Sequence, residues 1–424
     1  MRSPLADVAF LFLRLGVTGF GGPAAHVAMM EEEVVRRRRW LTAAEFAELL
    51  AAAQLMPGPN STELAIHIGR SRAGPAGLVV AGLCFITPAA LIVTALAWGY
   101  VRTGALPAAA RMLAMLQPVV LAVVAQAVWT LGRATLTARP LVLVAVGAFA
   151  AALLGAEELL VLVAAGAAAA VAREGSVPAS ERAGWAAALP ALSPGAGGAA
   201  VAAAAAAAGG AALALAPIFL LFLKTGAVLY GSGYVLLAFL RADLVVARGW
   251  LTETQLLDAI VVGQLTPGPL FTTATFAGYL RAGPAGAAVA TLGIFLPAFL
   301  YVAASGRLLP RLRRSAAARA FLRGVAAASL ALMAAVTVTL ARGTLTGAVP
   351  AAIAGAALVL LLRFRVPASA LLAGAAVVGL AVGALEAARP APATLPRGTT
   401  RGQLSPVVHR VPVLAARPPA PQPR

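Results

Sequence analysis

The chain has 424 residues, of which 61% are hydrophobic and only 11% charged, with a formal net charge of +18. A water-soluble fold of this length needs a larger charged surface, so a soluble enzyme or binding module is excluded. The single cysteine, Cys84, excludes an intrachain disulfide. The three histidines, His26, His67 and His409, are not at metal-ligand spacing. No metal or soluble cofactor is expected.

The first apolar stretch, 5–20, carries Asp7 and Arg14 within it, which makes a poor signal peptide and reads as a retained membrane segment. After it come three glutamates at 31–33 and four arginines at 36–39, expected to be a solvated loop. Thr42 and Glu45 then fit a capping box that starts a helix. That helix runs into Gln54-Leu55-Met56-Pro57-Gly58-Pro59. Pro-Gly-Pro removes two backbone donors and adds two ring clashes, so the helix must break there. Asn60 or Ser61 is placed to cap a second helix. Stretches 77–100 and 107–131 are apolar enough to span a bilayer, as are 285–304 and 320–340 further on. The chain is thus expected to be an all-α integral membrane protein.

The chain is then written a second time. Trp40-Leu41-Thr42 returns as Trp250-Leu251-Thr252, and the break returns as Gln264-Leu265-Thr266-Pro267-Gly268-Pro269, both offset by 210; over 40–60 against 250–270, eight of 21 positions are identical. Thr252 and Gln255 repeat the capping box, and Thr272 or Thr273 would cap the following helix. Downstream, Gly74-Pro75 matches Gly283-Pro284 at 209, so one residue is lost just after the break. The expected organisation is a first repeat at 5–172, a linker at 173–216 holding an extra apolar segment, a second repeat at 217–387, and a Pro- and Arg-rich disordered tail at 388–424. Each repeat is expected to contribute about five membrane segments plus one interrupted helix hairpin. If the hairpins are re-entrant, the arginine clusters balance only when the two repeats are inverted, with the apolar part of the linker not crossing. The cationic surplus itself reads as loop charge, and nucleic acid is not an expected partner.

A duplicated pair of interrupted apolar helices is the best sequence pointer to a transporter site, because unpaired backbone inside a bilayer must face protein or water. The half-helix after each break offers N–H groups and a positive dipole end to an anion. Arg14 and Lys224, the only lysine, occupy the same repeat position within apolar segments. Burying such a cation costs about 2.5–3.5 kcal/mol, so both are expected to face a shared cavity and attract an anion, with pairing to a carboxylate as the simpler alternative. The expected anion site therefore comprises Arg14, Lys224, Gln54, Pro57, Gly58, Pro59, Asn60, Ser61, Gln264, Thr266, Pro267, Gly268 and Pro269, with Gly21, Gly22 and Gly231 allowing close backbone approach. Glu48 and Asp258, an equivalent pair, and Glu63 are candidates for proton coupling, against a plain surface or cap role for Glu45 and Glu63.

The set Phe20-Gly21-Gly22-Pro23, Trp40-Leu41-Thr42, Gln54-x-x-Pro57-Gly58-Pro59 and Gly74-x-x-Gly77 resembles the chromate ion transporter family. The second half repeats it as Tyr230-Gly231-Ser232-Gly233, Trp250-Leu251-Thr252, Gln264-x-x-Pro267-Gly268-Pro269 and Gly283-x-x-Gly286, as in the long, two-domain form. The resemblance implies a multi-pass protein of the bacterial or archaeal inner membrane that exports chromate using the proton motive force. Tyr-Gly-Ser-Gly departs from Phe-Gly-Gly-Pro, so the halves are expected to contribute unequally. A sulfate or other oxyanion transporter is the first alternative. An enzyme acting on a phosphorylated lipid is the second, although no nucleophile or metal cluster supports it. A homo-oligomer remains open.

Overall fold

The computed structural model describes residues 3–103, 107–173, 210–230 and 233–387. Among them the regular structure is entirely helical. The first repeat holds α1 (Pro4–Thr18), α2 (Gly22–Glu31), a π turn (Glu32–Arg37), α3 (Ala43–Gln54), α4 (Asn60–Thr103), α5 (Pro107–Thr135), α6 (Arg139–Leu153) and α7 (Glu158–Arg173). The second holds the same series: α8 (Gly210–Val228), a short 3-10 turn and α9 (Leu236–Leu240), a π turn (Arg241–Val246), α10 (Glu253–Leu265), α11 (Thr273–Arg314), α12 (Ala316–Thr344), α13 (Ala348–Arg363) and α14 (Ala368–Ala387). Five helices, in α4, α5, α11, α12 and α14, are long and apolar enough to cross a membrane. The tail and most of the linker lie outside the described residues, as does the expectation that the linker's apolar segment stays on one side.

The capping boxes form as read: Thr42 accepts from the Glu45 N–H while Glu45 accepts from the Thr42 N–H, and Thr252 and Gln255 do the same. The tryptophans beside them have a structural use that the spacing did not suggest. Trp40 lies between Arg38 and Arg72, at 5.2 and 5.0 Å from the ring centre. Trp250 lies between Arg248 and Arg281, at 5.5 and 5.2 Å. Each pair of cation–π contacts ties the start of α3 or α10 to the turn inside the following helix.

That turn is the second duplicated interruption. Helical geometry fails at Ala73 and Gly74 within α4, and at Ala282 and Gly283 within α11; the glycines take φ of 63° and 60°. Glycine is required there because a side chain is strained at positive φ. The chain folds back on itself at each site. Gly69 and Gly77 meet so closely that neither has room for a Cβ, and Gly278 and Gly286 repeat the contact. Each long helix is therefore a tight hairpin of a short arm (60–72 or 273–281) and a long arm (75–103 or 284–314).

The two long arms pack against each other with opposite directions. Leu78 shares a buried cluster with Val302 and Ala298, Gly82 abuts Phe299, and Val93 and Ala97 cluster with Ala287. As the number rises along α4 it falls along α11. The outer helices are exchanged between repeats: α13 and α14 pack on α5, whereas α6 and α7 pack on α12. Gly379 lies on Met112, and Gly324 on Ala165, where the missing side chains let helix backbones touch.

Gly77→Val is expected to prevent hairpin closure, since overpacking a filled contact costs about 1–3 kcal/mol or more. Gly147→Val, at a position with open space around it, should be tolerated. Melting temperature and the size-exclusion profile in detergent would separate the two variants.

Candidate functional site

A backbone break inside apolar surroundings must find partners for its N–H groups. Here each break finds one in the other repeat. Gly58 donates its N–H to the Leu229 carbonyl at 2.7 Å, and Gly268 donates to the Gly19 carbonyl at 2.8 Å. Both acceptors lie just past the ends of the first helices, α8 and α1, and are themselves repeat equivalents. Gly58 and Gly268 have φ of 133° and 90°. His26, buried, adds a second donor to Gly19 O from Nε2 at 2.9 Å. The Tyr230 hydroxyl donates to Gln54 O at 2.9 Å.

This cross-bracing brings both breaks to one cavity of about 790 Å³. Gln54, Pro59, Asn60 and Ser61 line it from the first repeat's break, and Pro269 from the second's, joined by Gly21. Gly22, with φ of 76°, approaches the Tyr234 hydroxyl. Pro57 flanks the break half-buried. Pro267 and Thr266 are buried, with the Thr266 hydroxyl donating to Gly263 O at 3.3 Å. Gln264 is buried with Nε2 unpartnered among the described residues, and Tyr234 lines the cavity. Gly231 lies outside the described residues.

Five polar or charged lining residues escaped the sequence reading: Gln126, Thr130, Thr135, Tyr234 and Arg365. Gln126 and Thr130 sit on α5, which no motif marks. Arg365 follows α13 and is the only charged residue among the lining residues. It takes φ of 54°, a conformation that costs a non-glycine residue about 1 kcal/mol. Its repeat equivalent is Gly155, with φ of 82°. An arginine standing where the twin helix uses glycine was the available signal.

The expected caps after the breaks are not formed. Asn60 Oδ1 is buried without a partner among the described residues. The Thr272 and Thr273 hydroxyls donate backwards, to Pro269 O at 2.9 Å and Leu270 O at 2.8 Å. A hydroxyl committed as donor to a preceding carbonyl closes the tight 3-10 turn of the second repeat instead of capping the helix.

Arg14 and Lys224 do not line the cavity. Arg14 pairs with Glu33 at 2.5 Å, and Lys224 with Asp243 at 3.4 Å. The acids are repeat equivalents, and each is also held by an arginine at matching positions: Arg38 on Glu33 at 3.3 Å and Arg248 on Asp243 at 3.1 Å. The solvated-loop expectation for 31–33 is thereby corrected at Glu33, which is buried because the π turn points it at α1. The equivalent acids Glu48 and Asp258 have unlike surroundings. Glu48 is exposed on α3. Asp258 is buried and accepts from Tyr100 at 2.9 Å and Gln117 at 3.0 Å, because α10, unlike α3, is buried along its length. Glu63 is fully buried.

A duplicated helical membrane bundle whose two broken helices meet at a polar cavity defines a multi-pass membrane transport protein. The family profile described as Chromate transporter matches twice, over residues 6–171 and 216–380. The chain is 32% identical to the chromate transport protein of Cupriavidus metallidurans, over 89% of this chain and 92% of the relative. It is 33% identical to the chromate transport protein of Pseudomonas aeruginosa, over 78% and 80%, and 30% identical to the probable chromate transport protein of Synechococcus elongatus, over 80% and 86%. No solved structure matches. The chain belongs to the chromate transporter family.

Burial alone would push the Glu33 carboxyl up; hydrogen bonds and charges from Arg14, Arg38 and Arg37 outweigh it and hold the group below its ordinary value of 4.5. A lowered carboxyl contributes stability above its unfolded value and loses it as pH falls through the folded value. Glu33→Gln should therefore lower the melting temperature at neutral pH, by about 1–3 kcal/mol of stability, and remove part of the acid limb below pH 4.5. Melting curves across pH would check both.

Proposed function

We propose that this protein is a secondary transporter that exports chromate across the cytoplasmic membrane, driven by the proton motive force. The observation that carries the reading is the convergence of both Pro-Gly-Pro breaks on one cavity that carries amide and hydroxyl donors and a cation but no carboxylate. A tetrahedral dianion needs donors on several sides and no competing acceptor charge. Gln54, Asn60, Ser61, Gln126, Thr130 and Tyr234 supply side-chain donors. Arg365 supplies charge, and the start of α4 adds backbone N–H groups and its dipole end. The cavity is many times the volume of one such anion, which fits a hydrated, open state that narrows on binding.

In this reading the two repeats lie inverted in the membrane and rock about the anion. The antiparallel long arms of α4 and α11 support that arrangement. A second cavity, of about 320 Å³, supports it too: it is lined by Gly155 and Thr339, the equivalents of Arg365 and Thr130. It would be the counterpart vestibule on the opposite face. Gln264, Thr266 and the prolines shape the breaks. Arg14 and Lys224 act as members of the ion-paired clusters that fix α1 and α8, and reach the anion only through the breaks those helices hold. The curated relatives are named for transport, which favours transport over catalysis, and their names favour chromate over sulfate.

Uptake of labelled chromate into energised inside-out vesicles tests the function. Uptake should collapse with an uncoupler and resist excess sulfate. Inhibition by modest sulfate would make this a sulfate system, and uptake equal to empty vesicles would remove the chromate reading. In the same assay Arg365→Gly, which deletes the charge and suits the local φ, should raise KM about tenfold, as expected for about 1.4 kcal/mol of lost anion contact.

A further inference from the structure

The first turns of α4 carry ionisable groups that the second repeat lacks. Glu63 is fully buried, and neither carboxylate oxygen has a hydrogen-bond partner among the described residues. His67, one turn further on, is buried with Nε2 likewise unpartnered. At the equivalent positions, 209 residues on, stand Thr272 and Phe276. The second hairpin closes without an acid or an imidazole, so the duplicated architecture does not account for either group.

Their position relates them to the cavity. A Cβ on Gly58 would fall 2.5 Å from Glu63 Oε1, so the carboxyl rests against the break glycine. The next two residues, Pro59 and Asn60, line the cavity. The titratable groups that face Glu63 from packed elements are Tyr230, from the segment after α8, and Tyr301, from α11. Both hydroxyls donate elsewhere, to Gln54 O and Ala227 O. On the short arm of its own helix the other charged and titratable groups are His67, Arg70, whose guanidinium donates to the Val302 and Ala303 carbonyls of α11, and Arg72, which stacks on Trp40. No cation among the described residues pairs with Glu63.

An unpaired carboxylate in such a place costs several kcal/mol, and a bound proton removes that cost. A dianion in the adjoining cavity raises the cost of the charged form further, since like charges repel strongly where water is scarce. We propose that Glu63 is the proton-binding site linked to anion occupancy: when the dianion enters, the carboxylate takes one proton from solvent and becomes a neutral acid, and it returns the proton when the anion leaves. His67, one turn along the same face of the helix with Nε2 unpartnered, is the group that hands this proton to and from Glu63. The proposal rests on the cavity being the oxyanion site; a dianion that leaves with one proton carries one net negative charge outward, so the membrane-potential part of the proton motive force drives export. Linkage is reciprocal, so anion affinity must rise as pH falls.

The test uses the purified full-length protein in weakly buffered solution at neutral pH, with chromate as the probe and pH and bound anion recorded together. Wild type should take up protons as chromate binds. Glu63→Gln should bind chromate with an affinity that no longer varies with pH, and its proton signal should fall to that of the anion's own equilibrium. Glu63→Thr, which copies the second repeat, should lose the linked proton too and guards against misfolding of the first variant. His67→Gln should keep the proton stoichiometry and slow its appearance in stopped flow. Wild-type proton uptake in both Glu63 variants would overturn the proposal, as would wild-type binding that needs an alkali cation and moves no proton. Failure of wild type to bind any oxyanion is a separate result, which removes the cavity reading itself.

Discussion

The arrangement depends on two backbone hydrogen bonds. A chain that interrupts a helix among apolar neighbours must satisfy the freed N–H groups or lose several kcal/mol for each. Gly58 and Gly268 meet that demand across the repeat boundary, on Leu229 and Gly19. Each break thus takes this partner from the other half. The same two contacts set the distance between breaks, and so create the cavity. Glycine is needed at both points: each has positive φ, and a side chain at 58 would strike Glu63.

Around this pair the second repeat serves chiefly as framework. Its α10 is buried along its length, its acid Asp258 is bound by Tyr100 and Gln117, and its short arm begins with threonines that close on backbone carbonyls. The first repeat keeps an exposed α3, uncapped polar groups at the start of α4, and His26, Glu63 and His67. Duplicated architecture thus carries unduplicated chemistry. The departure of Tyr-Gly-Ser-Gly from Phe-Gly-Gly-Pro is the sequence trace of the same division.

Much of the architecture was legible because it was written twice. Pro-Gly-Pro, the capping boxes and the Trp-Leu-Thr motif each gained weight from recurrence. The hairpin turn at Gly74 was harder to see, since Ala-Gly-Pro inside an apolar run reads as a kink, and only the Gly69–Gly77 contact marks a full reversal. Arg14 and Lys224 illustrate a different limit. Position and charge singled them out, but whether a cation within an apolar segment meets an anion or a carboxylate depends on a π turn that directs Glu33 and Asp243, and no local rule signals it. Arg365, Gln126 and Thr130 reach the cavity only through the exchange of outer helices, a long-range fact with no local signature.

That exchange has a consequence for biosynthesis. α5 packs against α13 and α14, the last helices described, so a helix made early waits for its neighbours until nearly the whole chain has left the ribosome. Non-local contacts of this kind slow folding and leave apolar surface unmatched in the interval. The first repeat cannot reach its native packing alone, however long it is held in the bilayer. A truncated product would carry α5 and α7 with bare flanks facing lipid, open to whatever helix arrives next, and the natural partner for such a flank is a complementary half.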